Sequence, residues 1–412
     1  MIEQPTLENG LVLACEHILS ASSTAISLRI PAGSARDTDA QDGCAALMHE
    51  FINRGVKNMN ARDLCDAMDL AGMRRGGSVG TQTMHFHACV TNDRLADALS
   101  LLFAVVISPT FPQGELEPSR LLCLQAIDRL SDEPAQETGL LLRAQHMRRP
   151  FHRTGLGTRQ GIANVDRNAI FDRWEAFFRP QGSVLAIAGG VSAKDMHEAV
   201  RHASETWRGY VEPLTLGEEG PRGVTAIQRE ASQVHVAMAW DAPPLQSDDA
   251  NAARLASACL GGTTSGRLFT AIRQQRSLCY SIGASYQATG LAGWCQLHAG
   301  TTAENAQELI RESIAEIRRI GTDLANDEIE RARKSIVSSM VIGGESTSNR
   351  AGQMSRDLSE IGTCQTLAQR VHDLEHTSSQ HVRDYVQGHI TADPTVVTVG
   401  PLSQEDLNQA IG

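Results

Sequence analysis

The stretch LGGTTSGRLFTAIRQQRSLCYSIGASY, residues 260–286, contains a helix boundary, an amphipathic helix and the start of a strand. The pair Gly261–Gly262 is typical of the end of a helix, because glycine readily adopts the conformation that closes a last turn. The residues alone then indicate a surface arginine, Arg276, after the second helix and a buried tyrosine, Tyr280, at the start of the strand. An alternation of helix and strand of this kind indicates a mixed fold.

The length of the chain indicates how many domains it forms, and its charge argues against some classes of partner. A chain of 412 residues exceeds the size that one core supports, so at least two domains are expected. A net charge of −11 without a basic run argues against nucleic acid and anionic membranes as partners. The nine scattered cysteines are typical of reduced thiols, and no signal peptide or membrane-spanning run is recognised. We therefore expect a cytoplasmic protein, although export remains an alternative.

An internal repeat defines the domains. SVLAIAGGVSAKDMHEAV begins at Ser183, and TVVTVGPLSQEDLNQAI begins at Thr395. Each predicts a strand, a glycine turn and a helix capped by a Ser-x-x-Asp pattern. We predict an α+β fold of two homologous domains, residues 1–210 and 225–412, each a mostly antiparallel sheet covered by helices, with a linker at 211–224.

Apolar periodicity places individual elements. Alternation predicts strands at 23–30 and 82–90, and spacings of three and four predict helices. The predicted helices lie near 41–53, 93–106, 114–130, 167–178, 302–320 and 326–342.

The segment HDLEH, residues 372–376, matches the zinc-binding pattern H-x-x-E-H. The internal repeat aligns Leu374 with Ile162, which places Glu375 opposite Ala163 and His376 opposite Asn164. The first copy therefore carries no metal ligands there. We interpret HDLEH as the end of a helix, and a metal site at these histidines remains an alternative.

Three stretches carry a resemblance to a known family. They are GCAALMHEFINRG at 43–55, ISPTFPQGELEPSR at 107–120 and the stretch at 260–286. The chain resembles the pitrilysin, insulinase and mitochondrial processing peptidase family of zinc metallopeptidases in its short two-domain bacterial form. With FRPQGSVLAIAGGVS at 178–192, the resemblance covers essentially the whole chain.

The resemblance also implies where zinc would be bound, and the ligands are missing there. The two histidine positions of G-x-x-H-x-x-E-H hold Ala46 and Glu50, and the catalytic glutamate position holds His49. The third ligand position, in LCLQAI, holds Ala126. A catalytic zinc needs three protein ligands and a water, so we expect no metal and no catalytic residue in this chain. Another alternative is a metal site formed by His49 with His85 and His87.

The resemblance implies that substrate-binding residues are kept. In the family, the residues at Arg276 and Tyr280 bind peptide backbone. A weaker expectation is peptide contact at Gly261 and Gly262. Another is a strand at 77–90, to whose edge family members add the peptide as an extra strand. Gly77, Ser78 and Thr81 lie at the start of that strand.

These features predict a non-catalytic subunit of a heterodimeric peptidase. The partner, a homologous subunit with an intact H-x-x-E-H motif, would supply zinc and the catalytic glutamate. One alternative is a purely structural scaffold, like the core subunits of the respiratory bc1 complex. The other is an active metallopeptidase that uses a metal site unlike that of the family.

Overall fold

The chain forms two compact units, each made from separate parts of the sequence. A computed structural model describes residues 2–389 and 393–411. Unit 1 comprises the chain up to Arg129, Arg153–Leu216 and Gly343–Thr366. Unit 2 comprises Leu130–His152, Gly217–Ile342 and the chain from Leu367 onward. Each unit therefore contains a segment from the opposite half of the sequence.

Unit 1 contains a six-stranded sheet in the order β1-β2-β8-β3-β7-β6. Only β2 and β8 pair in parallel, and β6 forms one edge of the sheet. A separate two-stranded ladder joins β4 to β5. The strands are β1 (Ile2–Glu3), β2 (Val12–His17), β3 (Ser23–Ile30), β4 (Gly55–Val56), β5 (Met59–Asn60), β6 (Arg74–Val79), β7 (Met84–Thr91) and β8 (Val184–Gly189).

Unit 2 contains a five-stranded sheet in the order β11-β12-β10-β13-β9. Its parallel pair is β9 with β13, and all other pairs are antiparallel. The strands are β9 (Val224–Gln228), β10 (Val234–Ala242), β11 (Ser281–Ala288), β12 (Gly293–Thr301) and β13 (Thr395–Gly400). The order β6-β7-β3-β8-β2 in unit 1 corresponds to β11-β12-β10-β13-β9, so the predicted fold class and internal repeat are confirmed.

Helices cover both faces of the sheet of unit 1. On one face, Phe51, Phe103 and Phe178 are fully buried in the main core. On the other face, one helix, α12, buries Met354 and Leu358 against Ala186. The helices are α1 (Cys44–Ile52), α2 (Ala61–Leu70), α3 (Leu95–Ile107), α4 (Leu116–Arg129), α6 (Arg159–Ala163), α7 (Arg167–Phe177), α8 (Ala193–Ala203) and α12 (Thr347–Ile361).

Unit 2 repeats this layering. Its main core buries Leu255, Leu297 and Ile310, and Leu142 of α5 packs on the opposite face of the sheet. The helices are α5 (Pro134–His146), α9 (Ala250–Gly261), α10 (Ala303–Asp323), α11 (Asn326–Gly343), α13 (Leu367–His376), α14 (Ser379–His389) and α15 (Gln404–Ile411). A π-helix spans Phe269–Gln274, and 3-10 turns span Ser34–Arg36, Asp39–Gln41, Asn92–Arg94, Gln113–Glu115 and Leu130–Asp132.

The helix caps expected from the internal repeat are confirmed. The hydroxyl of Ser192 accepts the backbone N–H of Asp195 at 3.2 Å, and Ser403 accepts that of Asp406 at 3.1 Å. Each aspartate in turn accepts the serine hydroxyl, at 2.7 and 2.6 Å. The same local chemistry thus begins α8 and the helix after β13.

The expectation of one strand over 77–90 is wrong. Gly77 and Ser78 lie on β6, whereas Thr81 lies in the turn that leads into β7. Backbone bonds from Ser34 to Gly80 and from Ala35 to Thr81 fix that turn. The glycines of RRGGSV have little preference for strands, so the pattern did not show β6 as a separate edge strand.

Candidate functional site

A buried ion pair fixes the start of α1. Asp37 accepts the backbone N–H groups of Gly43 at 2.9 Å and Ala45 at 3.2 Å. Its carboxylate lies 2.6 Å from the guanidinium of Arg173, and both side chains are almost fully buried. Gly43 has a φ of 112°, which only glycine adopts readily. These contacts hold the helix that carries Ala46, His49 and Glu50.

The edge strand β6 passes directly beside His49. A Cβ atom placed on Gly77 would lie 2.6 Å from Nε2 of His49, so only glycine allows this approach. The ring of His49 also stacks on Phe86, with 6.1 Å between centroids. The position that carries the catalytic glutamate in the family is therefore adjacent to a sheet edge.

His85 and His87 lie on the opposite face of the same sheet. A Cβ on Gly76 would meet Nε2 of His87 at 2.7 Å, whereas the Cβ of the next residue would meet His49. Successive residues of a strand point to opposite faces. The alternative metal site formed by His49, His85 and His87 is therefore excluded.

The residues at the motif positions do not fit a zinc ion. Nδ1 of His49 lies 3.7 Å from Oε1 of Glu50, and this contact lowers the pKa of Glu50. Ala46 on α1 and Ala126 on α4 place methyl groups where the family has ligands. In residues 2–389 and 393–411, no group of three His, Cys, Asp or Glu side chains is placed to hold a metal.

The segment HDLEH forms a helix end whose carbonyl groups are bound by an arginine. Arg333 of α11 donates to the carbonyls of Leu374, Glu375 and Thr377, the last at 2.8 Å. In unit 1, Arg120 of α4 makes the same kind of contact with Ile162. This equivalence matches the alignment of Leu374 with Ile162 and gives the segment a structural role at a helix end.

The two histidines of HDLEH stay on the surface. His372 and His376 are exposed, with ring centroids 3.8 Å apart. Nδ1 of His376 is engaged by the carbonyl of His372 at 2.8 Å. Within the part of the chain that the structure describes, no third ligand joins these rings.

Arg276 lies in the loop before β11 and is held by two acceptors. Its guanidinium donates to the carbonyl of Ala271 at 3.0 Å and lies 3.0 Å from the carboxylate of Glu312 on α10. About a third of the side chain is exposed, as expected for a surface arginine. The sequence did not indicate that Glu312 pairs with Arg276, because the two residues are far apart in the sequence.

Tyr280 lies at the end of the same loop. Its backbone N–H donates to Gly300 at 3.0 Å, but its side chain is 60% exposed. The alternative of a buried tyrosine at this position is wrong, because the adjacent Leu278 and Cys279 are buried instead. Ser277 has a φ of 55°, a left-handed conformation that turns the chain between Arg276 and this buried pair.

Gly261 allows α9 to approach β11 closely. A Cβ on Gly261 would lie 2.9 Å from the Cβ of Ala284, and one on Gly262 would meet its own helix at Ala258. Gly261 is the last residue of α9, as the sequence predicted for the end of a helix. A packing role therefore accounts for both glycines, and peptide contact there stays a prediction.

Two family profiles match this chain. One, described as Insulinase (Peptidase family M16), matches residues 12–159, and the other, described as Peptidase M16 inactive domain, matches residues 164–336. The chain belongs to the M16 metallopeptidase family.

Relatives of this M16 chain cover its whole length at low identity. An uncharacterized zinc protease of Bacillus subtilis, YmxG, is 22% identical and covers 97% of this chain and 98% of its own. A probable mitochondrial-processing peptidase subunit beta of Schizosaccharomyces pombe is also 22% identical, over 87% of this chain and 82% of its own.

Solved structures share the fold. The peptidase M16 inactive domain from Pseudomonas fluorescens has a TM-score of 0.88 at 18% identity and covers 98% of both chains. A chain of complex III2 from Candida albicans has a TM-score of 0.85 at 15% identity, over 100% of this chain and 99% of its own. No helix in the described part of the M16 chain is long and apolar enough to cross a membrane.

Proposed function

We propose that this M16 chain is the non-catalytic subunit of a heterodimeric zinc metallopeptidase. The observation that carries this proposal is the contrast between two regions. The positions on α1 and α4 offer His49 and Glu50 but two methyl groups in place of further ligands. Arg276 and Tyr280, by contrast, are both exposed in one loop. A homologous partner with an intact H-x-x-E-H motif would hold the zinc and the catalytic glutamate.

The chemistry of Arg276 suits a neutral peptide carbonyl. Glu312 offsets the charge of the guanidinium, so a free carboxylate gains less there than it would at an unpaired arginine. The Tyr280 hydroxyl, on an exposed ring, adds a second donor. Two donors in one loop would orient an interior stretch of a peptide against the partner's zinc.

The edge of the unit 1 sheet offers a second peptide contact. Among the strands of residues 2–389 and 393–411, β6 pairs only with β7, so the other side of β6 is an edge to which a peptide strand could add. Gly77 and Ser78 lie on that strand, and Thr81 lies in the turn that follows it. Peptide addition at β6 would use main-chain hydrogen bonds and therefore tolerate many sequences.

The experiment compares variants in the reconstituted pair. The chain is purified with an M16 relative from the same cells that carries H-x-x-E-H, and cleavage of a quenched fluorescent peptide is followed. Arg276→Ala should lower kcat/KM roughly 10- to 100-fold, the value of a charge-assisted hydrogen bond. Tyr280→Phe should lower kcat/KM by roughly 2- to 10-fold.

Size-exclusion chromatography provides the control, because both variants should still assemble with the partner. Unchanged kcat/KM in Arg276→Ala would contradict the proposal. It would favour the alternative of a structural scaffold, for which the similarity to a chain of complex III2 is the supporting observation.

A further inference from the structure

In unit 1, an extended segment covers the edge of β2. β1 pairs antiparallel with β2, and Glu3 lies opposite Cys15. Further along the same edge, the backbone N–H of Leu13 donates to the carbonyl of Pro5 at 2.9 Å. Residues 2–6 thus bind backbone groups of β2 that would otherwise face solvent.

The strand of unit 2 that corresponds to β2 is β9, and one backbone bond fixes the register. After β2, the N–H of Ile18 donates to the carbonyl of Gly189 at the end of β8, at 2.7 Å. After β9, the N–H of Arg229 donates to the carbonyl of Gly400 at the end of β13, at 2.9 Å. Each bond closes the parallel pair of its sheet at the same position, so Ile18 and Arg229 are equivalent.

This register identifies the backbone groups along the edge of β9. Counting back from Arg229, Ala226 takes the place of Cys15, and Val224 takes the place of Leu13. In the part of the chain that the structure describes, β9 pairs only with β13. The edge that β1 covers in unit 1 therefore has no described strand beside it in unit 2.

The side chain of Gln404, the first residue of α15, occupies this edge of β9. The N–H of Ala226 donates to Oε1 of Gln404 at 2.8 Å, and Nε2 of Gln404 donates to the carbonyl of Val224 at 3.2 Å. Nε2 also donates to Oδ1 of Asn408, one turn further along α15, at 3.0 Å. A carboxamide carries the same donor and acceptor groups as a peptide bond. Gln404 therefore binds β9 as one peptide unit of a neighbouring strand would.

The internal repeat shows that the fold does not require this glutamine. Ser192 begins α8 and Ser403 begins α15 with the same cap, so the residues that follow the two serines are equivalent. In unit 1 that residue is Ala193, whose methyl group makes no hydrogen bond. Unit 1 thus combines an alanine with a covering strand, whereas unit 2 combines Gln404 with an edge at which no described strand lies.

The contact of Gln404 with β9 is readily exchanged for a strand. Gln404 is exposed, and Val224 and Ala226 are half-buried. A hydrogen bond at such a position contributes little net free energy, because water replaces it when it breaks. An incoming strand would replace both bonds of the carboxamide and add bonds to the neighbouring residues of β9.

We propose that the edge of β9 binds an extended segment of another M16 chain, which runs antiparallel to β9 and takes the place of the Gln404 carboxamide. Residues 2–6 indicate the kind of segment that fits, because they make this pairing with the equivalent strand of unit 1. The proposal goes beyond the proposed function, and neither Arg276 nor Tyr280 takes part in it.

The test measures binding of an acetylated, fluorescently labelled peptide IEQPTL, residues 2–7, to the full chain by fluorescence anisotropy. In the pairing with β2, the backbone groups of Glu3 and Pro5 face the edge and those of Gln4 face away, because alternate residues bond across an antiparallel pair. N-methylation at Glu3 should therefore weaken binding roughly tenfold, whereas N-methylation at Gln4 should change it by less than about twofold. No binding of the unmodified peptide, or equal losses from both methylated peptides, would overturn the proposal.

Variants of the protein locate the site. Gln404→Ala removes the competing carboxamide, so the peptide should bind roughly 3- to 10-fold more tightly. Gln409→Ala, at an exposed position on the same helix, is the matched control and should leave binding unchanged. Ala226→Pro removes the N–H that an added strand would bind but no bond to β13, and proline is tolerated at such edge positions. It should therefore abolish peptide binding.

Two outcomes would refute this site or its occupant. Peptide binding that survives Ala226→Pro would place the peptide elsewhere on the protein. Dimerisation of Gln404→Ala without peptide, measured by size-exclusion chromatography, would make β9 of a second copy the occupant. The methylated peptides are compared on the unmodified protein, so they decide the proposal even where Ala226→Pro does not fold.

Discussion

The carboxylate of Glu312 lies 3.0 Å from the guanidinium of Arg276. Glu312 belongs to α10, and Arg276 follows the π-helix at Phe269–Gln274, so the contact fixes a loop residue to a packed helix. Under the proposed function, Glu312 acts through Arg276 and is a positioning residue.

Glu312→Gln should therefore lower kcat/KM of the reconstituted pair less than Arg276→Ala does, by roughly 3- to 10-fold, because one charged partner is lost while the donor remains. The same change should improve binding of peptides whose free carboxylate reaches Arg276. Glu308→Gln, on the exposed face of α10, is the matched control and should behave like the wild type. An equal effect at both glutamates would argue against a positioning role.

Restoring the four motif positions should restore zinc binding. The variant Ala46→His, His49→Glu, Glu50→His, Ala126→Glu reinstates three ligands and the general base on helices that already pack together. After dialysis against metal-free buffer, we expect about one zinc per chain by elemental analysis, following the one-ion stoichiometry of such sites.

The control variant omits Ala126→Glu and should retain far less zinc than the full set. Zinc near one per chain in the unmodified protein would contradict both this prediction and the proposed division of labour.

The close approach of Gly77 to His49 makes that glycine hard to replace. A Cβ would meet the imidazole at 2.6 Å and the backbone carbonyl of His85 at 2.8 Å, and the carbonyl cannot move aside cheaply. Gly77→Ala should lower the free energy of unfolding by roughly 1–3 kcal/mol, as overpacking does. Urea titration measures this. Gly114→Ala, where no atom lies within 4 Å of the added Cβ, should change stability by less than about 0.5 kcal/mol.

Local periodicity and the internal repeat predicted much of the fold. The strand at 23–30 is confirmed as β3, and the helix near 326–342 as α11, because each carries an unbroken apolar pattern. The incorporation of α5 into unit 2 and of α12 into unit 1 was not predicted, because both helices have ordinary amphipathic patterns that do not say which sheet they cover.

Sequence motifs predicted which residues occupy the candidate site, but not the contacts that those residues make with distant parts of the chain. The register of GCAALMHEFINRG placed His49 on the correct helix, but its position beside Gly77 depends on pairing between β6 and β7. Glu312 carries no local signal, because it lies 36 residues beyond Arg276 in sequence. Contacts between residues so far apart in sequence depend on how the helices pack, and a single sequence does not show that packing.

The contact of Arg333 with HDLEH makes it possible to test whether this segment has a structural role or binds a metal. Arg333 is buried and donates to the carbonyls of Leu374 and Glu375 in the last turn of α13 and of Thr377 just after it. Arg333→Ala should lower the free energy of unfolding by roughly 1.5–3 kcal/mol, the cost of losing charged hydrogen bonds. The double variant His372→Ala, His376→Ala should change stability by less than about 0.5 kcal/mol, since both rings are exposed. A loss of bound metal in the double variant would reopen the metal alternative.

The half-buried His85 under α12 gives the stability of the protein a pH dependence. Burial, with Arg29 and His87 nearby, lowers the pKa of His85 from 6.5 to about 4. Between these values the unfolded chain binds more protons than the folded chain, so stability falls as the pH drops from 6.5 to about 4.

His85→Gln keeps a hydrogen-bonding side chain near Ser27 but removes the group that titrates. Up to roughly 3 kcal/mol of the fall in the free energy of unfolding between pH 6.5 and about 4 should therefore disappear. Urea unfolding at several pH values measures it. His202→Gln, at an exposed position on α8, should keep the wild-type slope. Identical pH profiles for wild type and His85→Gln would mean that His85 titrates in the folded protein as it does in the unfolded chain.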